Sequence, residues 1–139
     1  MTRGFTILDH PSDLGIRASG GTLSEAFEEA AKGMMSVVVD PETVEAREER
    51  SLSLEAGDPS HLLVKWLAEI LYLYDGRQFV CRVFEIGSMT GASLKATVRG
   101  EDLDPQRHRT RIDVKAVTYH QIAVREESGG AVVTVFLDI

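Results

Sequence analysis

The chain has 139 residues, 43% hydrophobic and 27% charged, and a formal net charge of −7. That balance fits one folded domain over 1–139 and argues against a disordered chain or, with the single cysteine Cys81, a disulfide scaffold. The acidic excess disfavours nonspecific contact with RNA or anionic lipid, and without a signal-like or bilayer-length apolar run the expected location is the reducing cytoplasm, with no membrane role.

In chain order, Gly4–Leu8 and Gly15–Ser19 read as strands joined by a polar knot, Asp9 to Ile16 (DHPSDLGI). Thr22 and Glu25 form the two ends of a capping box, opening a helix. Its apolar stripe is Leu23, Ala26, Phe27, Ala30, Ala31, Met34, Met35 and Val38, with Glu28, Glu29 and Lys32 expected on the opposite face. Asp40 and Pro41 stop it, and the charged stretch from Glu42 to Arg50 reads as a solvated strand edge or loop before a half-buried strand at Ser51–Glu55. Asp58 and Pro59 start a second amphipathic helix through Leu62, Leu63, Trp66, Leu67, Ile70, Leu71 and Tyr74, ended by Asp75-Gly76. Phe79–Ile86, Ala92–Arg99, Gln121–Glu126 and Ala131–Leu137 read as strands, the last two joined at Gly129-Gly130. Strict strand and helix alternation is lacking, so the expected fold is α+β, two amphipathic helices on a largely antiparallel sheet. Cys81, among Phe79, Val80 and Val83, is expected to pack as a small hydrophobe.

Three places carry more polar chemistry than packing requires: Asp9, His10 and Asp13; KAVTYH from Lys115 to His120; and Asp138-Ile139. Asp9 and Asp13 could share a hard cation, and Asp138-Ile139 supplies further oxygens. The same residue types also make ordinary solvated turns, which from composition alone is the simpler reading. Lys115, Thr118 and His120 form either a ligand-facing surface or a wet strand, and His61 reads as a surface or capping residue. Arg107, His108, Arg109 and Arg111 make a basic loop suited to phosphate or an acidic partner, although a solvated loop is the simpler reading. Phosphate loops, zinc spacings and nucleophile elbows are all missing, which gives little support to a self-sufficient enzyme.

Taken together, DHPSDLGIRASGGTLSEAFEEAAKGM, KAVTYHQIAV and VFLDI, in this order, resemble the archease family. The resemblance implies strand-helix-strand-strand units and a role as activator of an RtcB-type RNA ligase in tRNA splicing and RNA repair. Such a protein is not itself an enzyme: it promotes metal- and GTP-dependent guanylylation of the ligase and multiple turnover, touching RNA only through the ligase. It also implies a divalent metal site, usually described with Ca2+, at Asp13, Asp138 and Ile139, the last through backbone oxygen. Asp9, His10, Lys115, Thr118 and His120 match family motifs and are expected to border that surface. Pro11-Ser12 departs from the common Thr-Ala and stiffens the turn. The competing classes are a stand-alone metal-dependent hydrolase with His10 or His120 as general base, and a generic chaperone or adaptor.

Overall fold

A computed structural model describes residues 1–139. In chain order it runs β1 (Gly4–Asp9), β2 (Asp13–Gly20), α1 (Leu23–Val38), β3 (Glu48–Glu55), α2 (Pro59–Arg77), β4 (Phe79–Met89), β5 (Ser93–Asp102), β6 (Ala116–Val117), β7 (Ala123–Glu127) and β8 (Gly130–Asp138), with a 3-10 turn at Pro41–Thr43. The strands form two sheets, ordered β1-β2-β8-β6 with β7 also on β8, and β3-β5-β4. Every pairing is antiparallel. No helix is long and apolar enough to cross a membrane.

The strand order exposes two similar units. β2-α1-β7-β8 forms a sheet ordered β2-β8-β7, and β3-α2-β4-β5 forms one ordered β3-β5-β4. Each is a strand-helix-strand-strand unit whose last strand lies in the middle, and the second unit is inserted between α1 and β7 of the first. The helices pack against both sheets, α1 touching β1, β2, β8 and β4, and α2 touching β3, β4, β6 and β7. One cluster of 32 buried side chains runs through this layer. Trp66, fully buried on α2, donates its indole N–H to Phe27 O of α1 at 2.9 Å, which fixes the two helices against each other.

Local signals explain most element ends. Thr22 Oγ1 accepts from Glu25 N at 3.1 Å, but Glu25 Oε1 accepts from Gly21 N at 3.0 Å, one residue before the expected reciprocal donor. Asp58 Oδ1 accepts from His61 N at 2.8 Å, so His61 lies within the capped first turn of α2. α2 passes through Gly76 and ends at Gln78, whose φ of 52° supplies the left-handed cap. Tyr72 explains the glycine: a Cβ at position 76 would lie 2.5 Å from Tyr72 Cε1. Burial pushes the Cys81 thiol up to about 12, consistent with an inert packing role.

Two expectations about solvated side chains also change. Glu29 is 5% exposed, not on a solvated face; it accepts from Arg3 Nε and Lys32 Nζ at 2.8 Å each. Its neighbour Glu28 accepts from Ile86 N at 2.7 Å. The second sheet and the start of β1 cover this flank of α1, a contact that helical periodicity cannot reveal. The basic loop is also held internally. Glu101, 4% exposed, receives two hydrogen bonds from the Arg107 guanidinium at 2.7 Å, one from Glu45 N at 2.7 Å and one from His108 Nε2 at 2.8 Å. His108 Nδ1 accepts from Asp104 N at 2.9 Å, so Nε2 carries the proton donated to Glu101. Arg109 and Arg111 lie 3.8 and 3.7 Å from Asp40 Oδ2.

The Arg107 hydrogen bonds, joined by those from Glu45 N and His108, hold the Glu101 carboxyl well below its ordinary pKa of 4.5. A depressed pKa stabilises the fold above that ordinary value, and the contribution fades as pH falls below it. Glu101→Gln is expected to cost about 2 kcal/mol near neutral pH, allowing for the partial exposure of Arg107. Denaturant titrations of both proteins at several pH values should show the gap narrowing below pH 4.5. A gap constant with pH would contradict the assignment.

Candidate functional site

The site grows from the pairing of β2 with β8. Their register sets Asp13 opposite Asp138, Gly15 opposite Phe136 and Arg17 opposite Thr134, while Leu14, Ile16 and Ala18 meet Leu137, Val135 and Val133. The second set is buried against the helices. By the two-residue alternation of strands, the first set lies on the other face. Side chains directly opposite in such a pair have Cβ atoms roughly 5 Å apart, and two like charges there repel. Asp13 and Asp138, 125 positions apart in the sequence, are thereby brought together.

An aromatic cluster borders this pair. His10 Nδ1 lies 3.1 Å from Asp13 Oδ1, and its ring centroid is 4.8 Å from that of Phe136. His120 meets Phe136 edge-on at 6.1 Å. Although Phe136 points away from the helices, it is only 3% exposed. Glycine at position 15 makes this possible, since a Cβ there would lie 2.6 Å from Phe136 Cε1 and 3.1 Å from Leu8 Cβ.

The KAVTYH segment is held mainly through its backbone. Lys115 N donates to Asp138 O at 2.8 Å, and Ala116 and Val117 pair with Asp138 and Leu137. Thr118 donates from both its amide and its hydroxyl to Phe136 O, each at 3.0 Å, and the hydroxyl oxygen accepts from His120 N at 3.2 Å. Gln121, at φ 52°, closes this turn and delays β7 to Ala123. Tyr119 is 55% exposed at the turn, with its ring edge-on to His61 at 5.8 Å.

The expected residues therefore divide. Asp13, Asp138, His10, Thr118 and His120 converge, with Lys115 attached through its amide and Ile139 exposed immediately after Asp138. Asp9 pairs with Leu14, which assigns it to the opposite face from Asp13. Phe136 and Gly15 were absent from the expected set. The available signal is phase: Phe136 is a large aromatic at an outward position, between the inward Val135 and Leu137, and a glycine lies opposite it.

As a cation site, the donors have the right chemistry but form an incomplete set. No group of three or more His, Cys, Asp or Glu side chains is placed to hold a metal ion. Asp13 and Asp138 could provide carboxylate oxygens and Ile139 a main-chain oxygen, short of the six to eight that Ca2+ takes. Water or a partner would complete the shell. Gly15→Ala tests the aromatic border without touching these donors. It is expected to displace Phe136 and cost about 1–3 kcal/mol, read as a lower melting temperature with shifted His10 and His120 ring resonances. Unchanged resonances would contradict the proposed contact.

Comparison with known proteins agrees with this architecture. The archease protein family matches residues 5–139. Protein archease of Methanosarcina mazei is 35% identical over 139 residues, covering 97% of this chain and 95% of that protein. Protein archease of Sulfurisphaera tokodaii is 33% identical over 136 residues, covering 97% and 98%. The solution structure of Methanobacterium thermoautotrophicum protein 1598 superposes with a TM-score of 0.81 at 34% identity, covering 98% of this chain and 99% of that one. A crystal structure from Thermotoga maritima, described as an archease and possible chaperone, has a TM-score of 0.61 at 18% identity, covers 95% and 94%, and supports the fold alone. With a family match across nearly its whole length and relatives above 30% identity at this coverage, the chain belongs to the archease family.

Proposed function

We propose that this protein is a cytoplasmic accessory protein of an RtcB-type RNA ligase, acting in tRNA splicing and RNA repair. It promotes metal- and GTP-dependent guanylylation of the ligase and its return to further turnovers, and it meets RNA only through the ligase. Asp13, Asp138 and Ile139 hold a divalent cation, Ca2+, through oxygen donors, and His10, Thr118, His120 and Lys115 shape the surrounding surface. The observation that carries this reading is the cross-strand pairing of Asp13 with Asp138. Their repulsion is offset when a cation, or a cationic group of the partner, sits between them.

In this role the protein performs no bond-making step. Thr118 anchors the turn by its two hydrogen bonds to Phe136 O, and the Phe136 ring braces His10 and His120 beside the carboxylates. The bound cation supplies charge neutralisation and a rigid arrangement of oxygens.

Guanylylation and multiple-turnover ligation by a cognate ligase provide the test, with ligase and metal held constant. Wild-type protein should stimulate both, whereas Asp13→Asn and Asp138→Asn should each lose at least about 90% of the stimulation while keeping the wild-type melting profile. A folded variant that stimulates fully would contradict the role. Phosphoester turnover without ligase would instead support a hydrolase, and rescue of unrelated aggregating proteins without an effect on guanylylation a general chaperone.

A further inference from the structure

The two helices cover one face of the five-stranded sheet and leave the other without a covering element. The bare face carries Asp13, Asp138 and the aromatic cluster at one end. Farther along, Thr6, Arg17 and Thr134 lie in one row across β1, β2 and β8, and Ser19, Val132 and Arg125 in the next across β2, β8 and β7. Arg17 and Arg125 are both exposed. They sit two strands apart, about 10 Å across the sheet.

These arginines differ from most others in the chain. Arg3, Arg47, Arg50, Arg82, Arg99, Arg107, Arg109 and Arg111 each lie near a carboxylate of the same chain. Arg17 and Arg125 have no such partner among the ion pairs or side-chain hydrogen bonds. The face thus carries an acidic end at Asp13 and Asp138 and, farther along, two arginines without ion-pair partners, Arg125 sharing its side of β7 with the exposed Glu127. A protein surface presenting carboxylates at one end and cationic groups or a metal at the other would be complementary to it. RNA fits less well, because a phosphate chain following this face would run from the two arginines onto Asp13 and Asp138 in a chain of net charge −7.

We propose that this bare sheet face is the docking surface for the ligase, and that Arg17 and Arg125 engage carboxylates on it. The inference rests on the reading above, and it adds two contact residues to those of the metal site: Arg17, within the opening motif, and Arg125, just beyond the KAVTYHQIAV segment. Because both side chains are exposed and unpaired, they can be replaced without disturbing the core.

The test measures affinity of the full-length protein for the cognate ligase at low and moderate salt. It compares wild type, Arg17→Glu/Arg125→Glu, the milder Arg17→Gln/Arg125→Gln, and, on the other sheet, Lys95→Glu, which matches the net-charge change of the Gln variant. Charge reversal should weaken binding by about tenfold or more and flatten its salt dependence, neutralisation should weaken it less, and Lys95→Glu should bind as wild type. Wild-type affinity for both arginine double variants, alongside intact stimulation by wild type, would overturn the docking surface and leave the proposed function standing. Failure of wild-type protein to bind or stimulate the ligase would overturn both. Binding of wild type, but not the charge-reversed variant, to a single-stranded RNA oligonucleotide without ligase would assign the face to nucleic acid and overturn the proposal.

Discussion

The register between β2 and β8 is the constraint on which the rest depends. It directs Ile16, Ala18, Val133, Val135 and Leu137 into the helical layer and sets Asp13 beside Asp138 on the other side. A slip of one residue would exchange the two faces, exposing the apolar set and burying the carboxylates. The hydrophobic core therefore enforces the approach of two like charges. Gly15 and Thr118 reinforce the same register, the first by admitting the Phe136 ring and the second by holding the Phe136 carbonyl from the neighbouring edge.

The second unit contributes through the connection it leaves behind. Between β5 and β6 the chain crosses back to the first sheet, and Glu101 binds that crossing through Arg107 and His108. Backbone hydrogen bonds from Arg111 to Val38 and from Ile112 to Val37 then tie it to the end of α1. The segment entering β6 is thus fixed before it reaches Lys115. A basic loop that resembled a phosphate-binding patch is a latch, and Arg17 and Arg125, which have no carboxylate partner, lie elsewhere, on the uncovered sheet face.

Local periodicity made both helices, their caps and most strands legible. It could not show that the strands form two sheets, because β3, β4 and β5 differ from the others in partner and not in pattern. The burial of Glu29 was hidden for a similar reason: its helical phase is polar, and its cover comes from Arg3 and the second sheet. At the site, Asp13 and Asp138 were accessible through family resemblance, whereas their meeting is a property of register. Asp9 illustrates the converse, close to Asp13 in sequence yet assigned to the opposite face by its pairing with Leu14. Phe136 was concealed within the continuous apolar run from Val135 to Leu137, and Arg17 within a family motif whose neighbours drew the attention.

The central claim is that Asp13 and Asp138 form one cation site because the β2–β8 register sets them side by side. Calorimetric titration of Ca2+ into the wild-type protein, Asp13→Asn, Asp138→Asn and the double variant tests it most directly. A shared site predicts a single binding event that either substitution weakens by about tenfold or more, with little further loss in the double variant. Two substitutions that leave binding intact, or whose effects simply add, would contradict the account.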